Sequence, residues 1–112
     1  MTQVTADQLP SYTPEQAKEH FGCMGEKMSQ PGIYTWLEER MGCVSDFEYL
    51  GEHDVVPLPT VEDTVEEYGH WFDSAEEARA EIESVYGVEI EHGVLYHHVL
   101  PESCSFQFIR IV

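Results

Sequence analysis

Four residues near the end of the chain have side chains that could hold a metal or act as a nucleophile: His92, His97, His98 and Cys104. Imidazole and thiolate are the usual zinc ligands, but no zinc-ligand spacing is present. His97 and His98 are adjacent in a segment that reads as a strand. Their side chains leave on opposite faces and cannot easily share one ion. The pair reads as two strand histidines, one packed and one exposed, and no metal is expected. His20 and Cys23 stand three residues apart in a helical segment, close enough to touch. Cys23 falls opposite the apolar stripe of that helix, and no third group orients the pair. The two read as an incidental thiol beside a surface histidine. Carboxylates abound, yet acid–base catalysis needs two of them in different environments inside a cleft. There is no phosphate-binding loop, dinucleotide fingerprint or EF-hand loop. No cofactor is expected, and the chain reads as non-enzymatic.

The stronger signal is charge. Residues 62 to 91 carry eleven acidic side chains and one basic side chain, Arg79, in a protein of net charge −17 with 22 acids against 5 bases. Self-repulsion on this scale destabilises a compact state and disfavours nucleic acid or an anionic membrane as a partner. A charge run is ordinarily a solvated face, but two features set this one apart. An ordinary solvated helix intersperses Lys among its Glu residues, and this stretch does not. Glu76, Glu77, Glu81 and Glu83 also put four carboxylates along about 11 Å of helix, where duplex DNA carries about six phosphates. Salt adaptation is a competing origin, although Glu outnumbers Asp 17 to 5.

The expected partner-binding residues are Glu62, Asp63, Glu66, Glu67, Asp73, Glu76, Glu77, Glu81 and Glu83, with Tyr68 and Trp71 as exposed aromatic anchors. In composition and size the chain resembles the acidic DNA-mimic proteins that bacteriophages use against host defences, among them anti-CRISPR and anti-restriction proteins. That resemblance implies an inhibitor that occupies the basic nucleic-acid-binding surface of another protein or complex, without itself binding nucleic acid. An acidic adaptor or immunity-type module for another basic protein is the alternative. A small His/Cys enzyme is a third reading.

These side chains must be positioned by one domain, since 112 residues suffice for a single modest core. Residues 1 to 12 read as a loose arm and residues 13 to 112 as one α+β domain. Thr13 caps a helix opened by Pro14, with Ala17, Phe21, Met24 and Met28 as its buried stripe. Gly22 and Gly25 weaken that helix, and either allows a close backbone approach. A second helix is expected from Ile33 to Met41, closed by Gly42. Val44 to Leu50 alternates as a strand, Gly51 to Asp54 turns, and Val55-Val56 is read as pairing back.

Thr60 with Asp63 resembles a capping box before a short helix, with a strand from Val65 to Phe72 as the competing reading. Ser74 caps a helix from Ala75 to Tyr86, whose Ala75, Ala78, Ile82, Val85 and Tyr86 face inward. Val88–Glu91, the turn His92-Gly93, and Val94–Leu100 form a hairpin. Pro101-Glu102-Ser103 turns the chain into a last strand, Cys104 to Val112. Its change of phase at Phe108-Ile109 indicates a bulge or burial on both faces. The expected architecture is two N-terminal helices and one or two central helices packed on a small antiparallel sheet. Three cysteines, Cys23, Cys43 and Cys104, and no leader-like segment at Met1–Asp7 point to the cytoplasm, the host's if the protein is phage-encoded. No apolar run approaches a membrane span.

Overall fold

The computed structural model describes residues 4–39, 44–100 and 104–112. The elements are β1 (Ser11–Tyr12), α1 (Pro14–Phe21), β2 (Gly32–Glu39), β3 (Val44–Gly51), α2 (Val61–Tyr68), α3 (Ala75–Val85), β4 (Gly87–Glu91), β5 (Val94–Leu100) and β6 (Cys104–Ile111). The class is α+β, but the expected arrangement of helices is wrong. The segment from Ile33, read as a second helix, is strand β2. Ile33, Tyr34, Thr35, Trp36 and Leu37 are consecutive and all buried. A strand covered on both faces loses its alternation, and its spacing of apolar residues then imitates a helix. The expected end of that helix, Met41-Gly42, lies outside the described residues, as do Cys43 and the turn Pro101-Glu102-Ser103.

The sheet runs β3-β2-β6-β5-β4, with neighbours antiparallel, and β1 adds to β6 in parallel beyond the end of β5. Phe108 and Ile109 are both buried because β6 lies mid-sheet with cover on each side. The change of phase is therefore two-sided burial, while the irregularity in the β5–β6 pairing falls between His98 and Leu100. β3 opposes Trp36 with two residues, Asp46 and Phe47. Asp46 takes φ +52°, the mark of a bulge.

One face of β2 and β6 (Ile33, Leu37, Phe108) is covered by α2, α3 and the segments around Val4, Leu9 and Val56. The other face (Tyr34, Trp36, Ile109, Ile111) is covered by α1 and Met28. Residues 4–12 are thus no loose arm. Val4 and Leu9 are buried, Thr5 bridges Val55, and the Val56 amide donates to the Val4 carbonyl at 2.9 Å. Val55-Val56 accordingly pairs with the N-terminal segment, not back on its own strand.

Ala17 and Met28 are buried together as expected, but not along one helix. α1 stops at Phe21, Gly22 turns at φ +61°, and a 3-10 turn over Gly25–Lys27 folds back. Gly25 makes this possible, since a Cβ there would stand 2.0 Å from the Ala17 carbonyl oxygen. The β4–β5 turn has His92 at φ +54° and Gly93 at φ +78°, the two left-handed positions of a type I′ hairpin. The Tyr12 hydroxyl donates to the Gly93 carbonyl at 2.8 Å and ties that tip to β1.

Candidate binding surface

The acidic stretch folds as α2 and α3 and ends in β4, with Glu89 and Glu91. At α2, Thr60 Oγ1 accepts from the Asp63 amide at 3.1 Å, so the helical reading of residues 61 to 68 holds over the strand. At α3, Ser74 Oγ accepts from the Glu77 amide at 3.1 Å. Thr64, Tyr68, Ala78 and Ile82 turn inward. Ala75, expected on the inner side of α3, is exposed.

Glu62, Asp63, Glu66, Glu67, Asp73, Glu76, Glu77, Glu81 and Glu83 are all exposed. Glu62, Asp63, Glu76 and Glu77 occupy first turns, where the helix dipole favours them. Glu81 and Glu83 sit toward the C-terminal end of α3, whose last turn has no basic residue, and there the dipole opposes them.

Arg79 is the cation among these acids. Its guanidinium lies 2.8 Å from Glu62 on α2 and 3.7 Å from Glu83, one turn along α3. The hydrogen bond from Arg79 holds the Glu62 carboxyl below its ordinary range, and the same contact raises the guanidinium. The pair is solvated, so it adds little to stability.

The two aromatic anchors separate. Trp71 is 54% exposed, but Tyr68 is 7% exposed and packs with Leu37, Ile82 and Cys104. Tyr68 is thus corrected from an exposed anchor to a core residue that also meets the Trp71 ring, at 5.4 Å.

No family model, curated protein or solved structure matches this chain. Its surface must be read from its own chemistry.

A second acidic surface emerges on the opposite sheet face, away from the helix pair. Register sets Tyr96 beside Gln107 and Glu89, with Glu91 two residues along β4. The Tyr96 hydroxyl donates to the Glu91 carboxylate, and His98 Nε2 lies 2.6 Å from Glu89. Burial first, then Glu91, Glu89 and Glu38, push the Tyr96 hydroxyl up to about 12. Glu38 comes from β2 and the other acids from β4, so only strand register could have revealed this grouping.

The histidine reading holds: His97 is fully buried and His98 faces the other way, half-buried. His97 meets the Tyr86 ring edge-on at 4.3 Å, and among the described residues neither of its ring nitrogens has a hydrogen-bond partner. Burial pushes its pKa down to about 4, and His98 adds to the shift. Cys104 is buried in the core, and His92 is exposed at the hairpin tip. Among the described residues no group of three His, Cys, Asp or Glu could hold a metal ion. Cys23 is exposed beyond the end of α1, while the His20 ring packs against Phe21 at 4.6 Å and Tyr12 at 5.4 Å. Among the described residues, no helix is long and apolar enough to cross a membrane.

Proposed function

We propose that this protein is a non-enzymatic inhibitor that occupies the basic nucleic-acid-binding surface of a partner, in the manner of a DNA mimic. The observation that carries the reading is the outer surface of α2, α3 and their connection, where nine exposed carboxylates stand around one paired cation. Such a surface meets Lys and Arg side chains that would otherwise hold phosphates, and its summed field accelerates encounter. The proposed setting is the cytoplasm, with a phage anti-defence protein as the favoured origin.

Capture of partners on the immobilised protein, followed by displacement, tests this. A captured partner should bind duplex DNA or structured RNA when alone, and this protein should displace that nucleic acid at stoichiometric concentration. The displacement should weaken steeply with added salt. A tightly held partner that binds no nucleic acid would overturn the mimic reading and favour the adaptor or immunity-type module.

A further inference from the structure

A groove of about 490 Å³ lies between the start of α2, the end of α3 and β4. Val61, Tyr86 and Val88 line it, and Glu62 and Glu83 carry its acidic rim. The aromatic wall is fixed at two points. The Tyr86 hydroxyl donates to the Pro59 carbonyl at 2.7 Å, and its ring abuts the buried His97. Ile90 follows Val88 by two residues on β4 and so shares its side of the sheet. It is 60% exposed and extends the apolar strip outward. The chain therefore combines an apolar slot with a carboxylate rim, which is the layout of an interface centre rather than of a uniformly solvated face.

The occupant follows from charge and shape. The Glu62 and Glu83 carboxylates already share one guanidinium, that of Arg79, at 2.8 and 3.7 Å, so their separation suits that group. We propose that the groove receives an arginine side chain of the basic partner. Its methylenes would lie along Val61 and Val88, and its guanidinium would meet Glu62, Glu83 and the Tyr86 ring. This rests on the reading of the partner as a basic protein and adds where its cation docks. Arginine suits the slot better than lysine because a guanidinium is weakly hydrated and stacks on aromatic rings. Arg79 then competes for the same carboxylates, and its removal frees them.

The test uses acetylated tri-arginine amide and tri-lysine amide as probes, titrated into the isotopically labelled protein. Amide shifts should centre on Val61, Gly87 and Val88, and the arginine peptide should bind several-fold tighter. Arg79→Gln should tighten arginine binding about threefold more than Lys18→Gln, a change of equal charge on α1. The double variant Glu62→Gln/Glu83→Gln should lose the localised shifts, whereas Glu66→Gln/Glu76→Gln should keep them. Shifts spread evenly over α2 and α3, or equal effects of Arg79→Gln and Lys18→Gln, would overturn the groove. Neither outcome touches the inhibitor reading, which stands or falls on nucleic-acid displacement. Conversely, a partner without nucleic-acid binding leaves groove-centred peptide binding intact.

Discussion

Reversing Glu77 and Glu81 to Lys should weaken partner binding about 100-fold, or about 2.8 kcal/mol at 1.4 kcal/mol per decade. Both carboxylates are exposed on α3 while Ala78 and Ile82 hold the helix to the core, so the fold should survive. The cap is also kept, because Ser74 accepts from the Glu77 backbone amide and not from its side chain. A lysine at Glu77 opposes the dipole at the start of the helix and one at Glu81 favours it toward the end, so the two changes roughly offset. Each reversal turns an attraction for the partner's cations into a repulsion, and part of the loss should appear in the association rate. Glu15 and Glu19 provide the matched control. They are exposed on α1, which packs on the other face of the sheet. Glu38 is unsuited to that role, since its charge acts on Tyr96 across the sheet. Calorimetry or surface-binding kinetics on circular-dichroism-verified variants reads the result. Equal losses in both pairs would mean that only total charge matters. No loss in either would return the helix pair to the status of a solvated surface.

The second large effect is on stability. His97 is neutral in the folded protein down to about pH 4, whereas an unfolded chain protonates it near 6.5. Between those values the unfolded state binds more protons, so folding stability falls as pH falls, and the loss is complete below the folded pKa. Among the described residues neither ring nitrogen has a hydrogen-bond partner, so a charge there would be uncompensated. Against the ring stand the phenol of Tyr86 and, by register, Val88 and Phe106, with His98 beside it in sequence.

The full loss is roughly 3 kcal/mol, from 1.36 kcal/mol per pKa unit. Protonating the surface carboxylates works the opposite way, because it relieves self-repulsion as the pH approaches the isoelectric point of about 4.4. Denaturant unfolding of the wild type and of His97→Met across this range separates the two effects. The difference between the curves should grow as the pH falls toward 4. Parallel curves would show that His97 takes up its proton without cost.

Local chemistry was legible in the sequence, and long-range pairing was not. Thr13, Thr60 and Ser74 each announced a helix start, and each side-chain oxygen accepts an amide three residues on. The His92-Gly93 turn was legible because few residues other than glycine tolerate its backbone. β2 misled because two-sided burial erases the alternation that identifies a strand. The N-terminal segment misled because Val4 and Leu9 sit among polar neighbours, and only contact with Val56 and Ile33 gives them a core. Exposure of the acids followed from helix phase, but Tyr68 shows the limit of that argument. Its inward position depends on Leu37 and Cys104, brought there by strands that the sequence did not pair.

The place of β6 has a kinetic meaning. It is the last of the described strands, yet it lies between β2 and β5 and also takes β1 on its edge. β6 follows β5 directly and pairs with it from Leu100↔Cys104 onward, so β4, β5 and β6 make one local meander, whereas β2 has only β3 beside it until β6 docks. The β2–β3 hairpin and the β4-β5-β6 meander can form locally and early, but the β2–β6 seam that joins them, from Gly32↔Ile111 to Glu39↔Cys104, spans most of the sequence and carries a large loop-closure cost. Folding should therefore wait on one late docking event, with apolar Trp36 and Ile33 exposed in the meantime. Amide exchange should be slowest at Tyr34, Trp36 and Ile109, where that seam closes, and uniform protection across the hairpin, the meander and the seam would argue against the sequence of events. An acidic chain is well suited to such a delay, because repulsion between copies keeps the waiting intermediates apart.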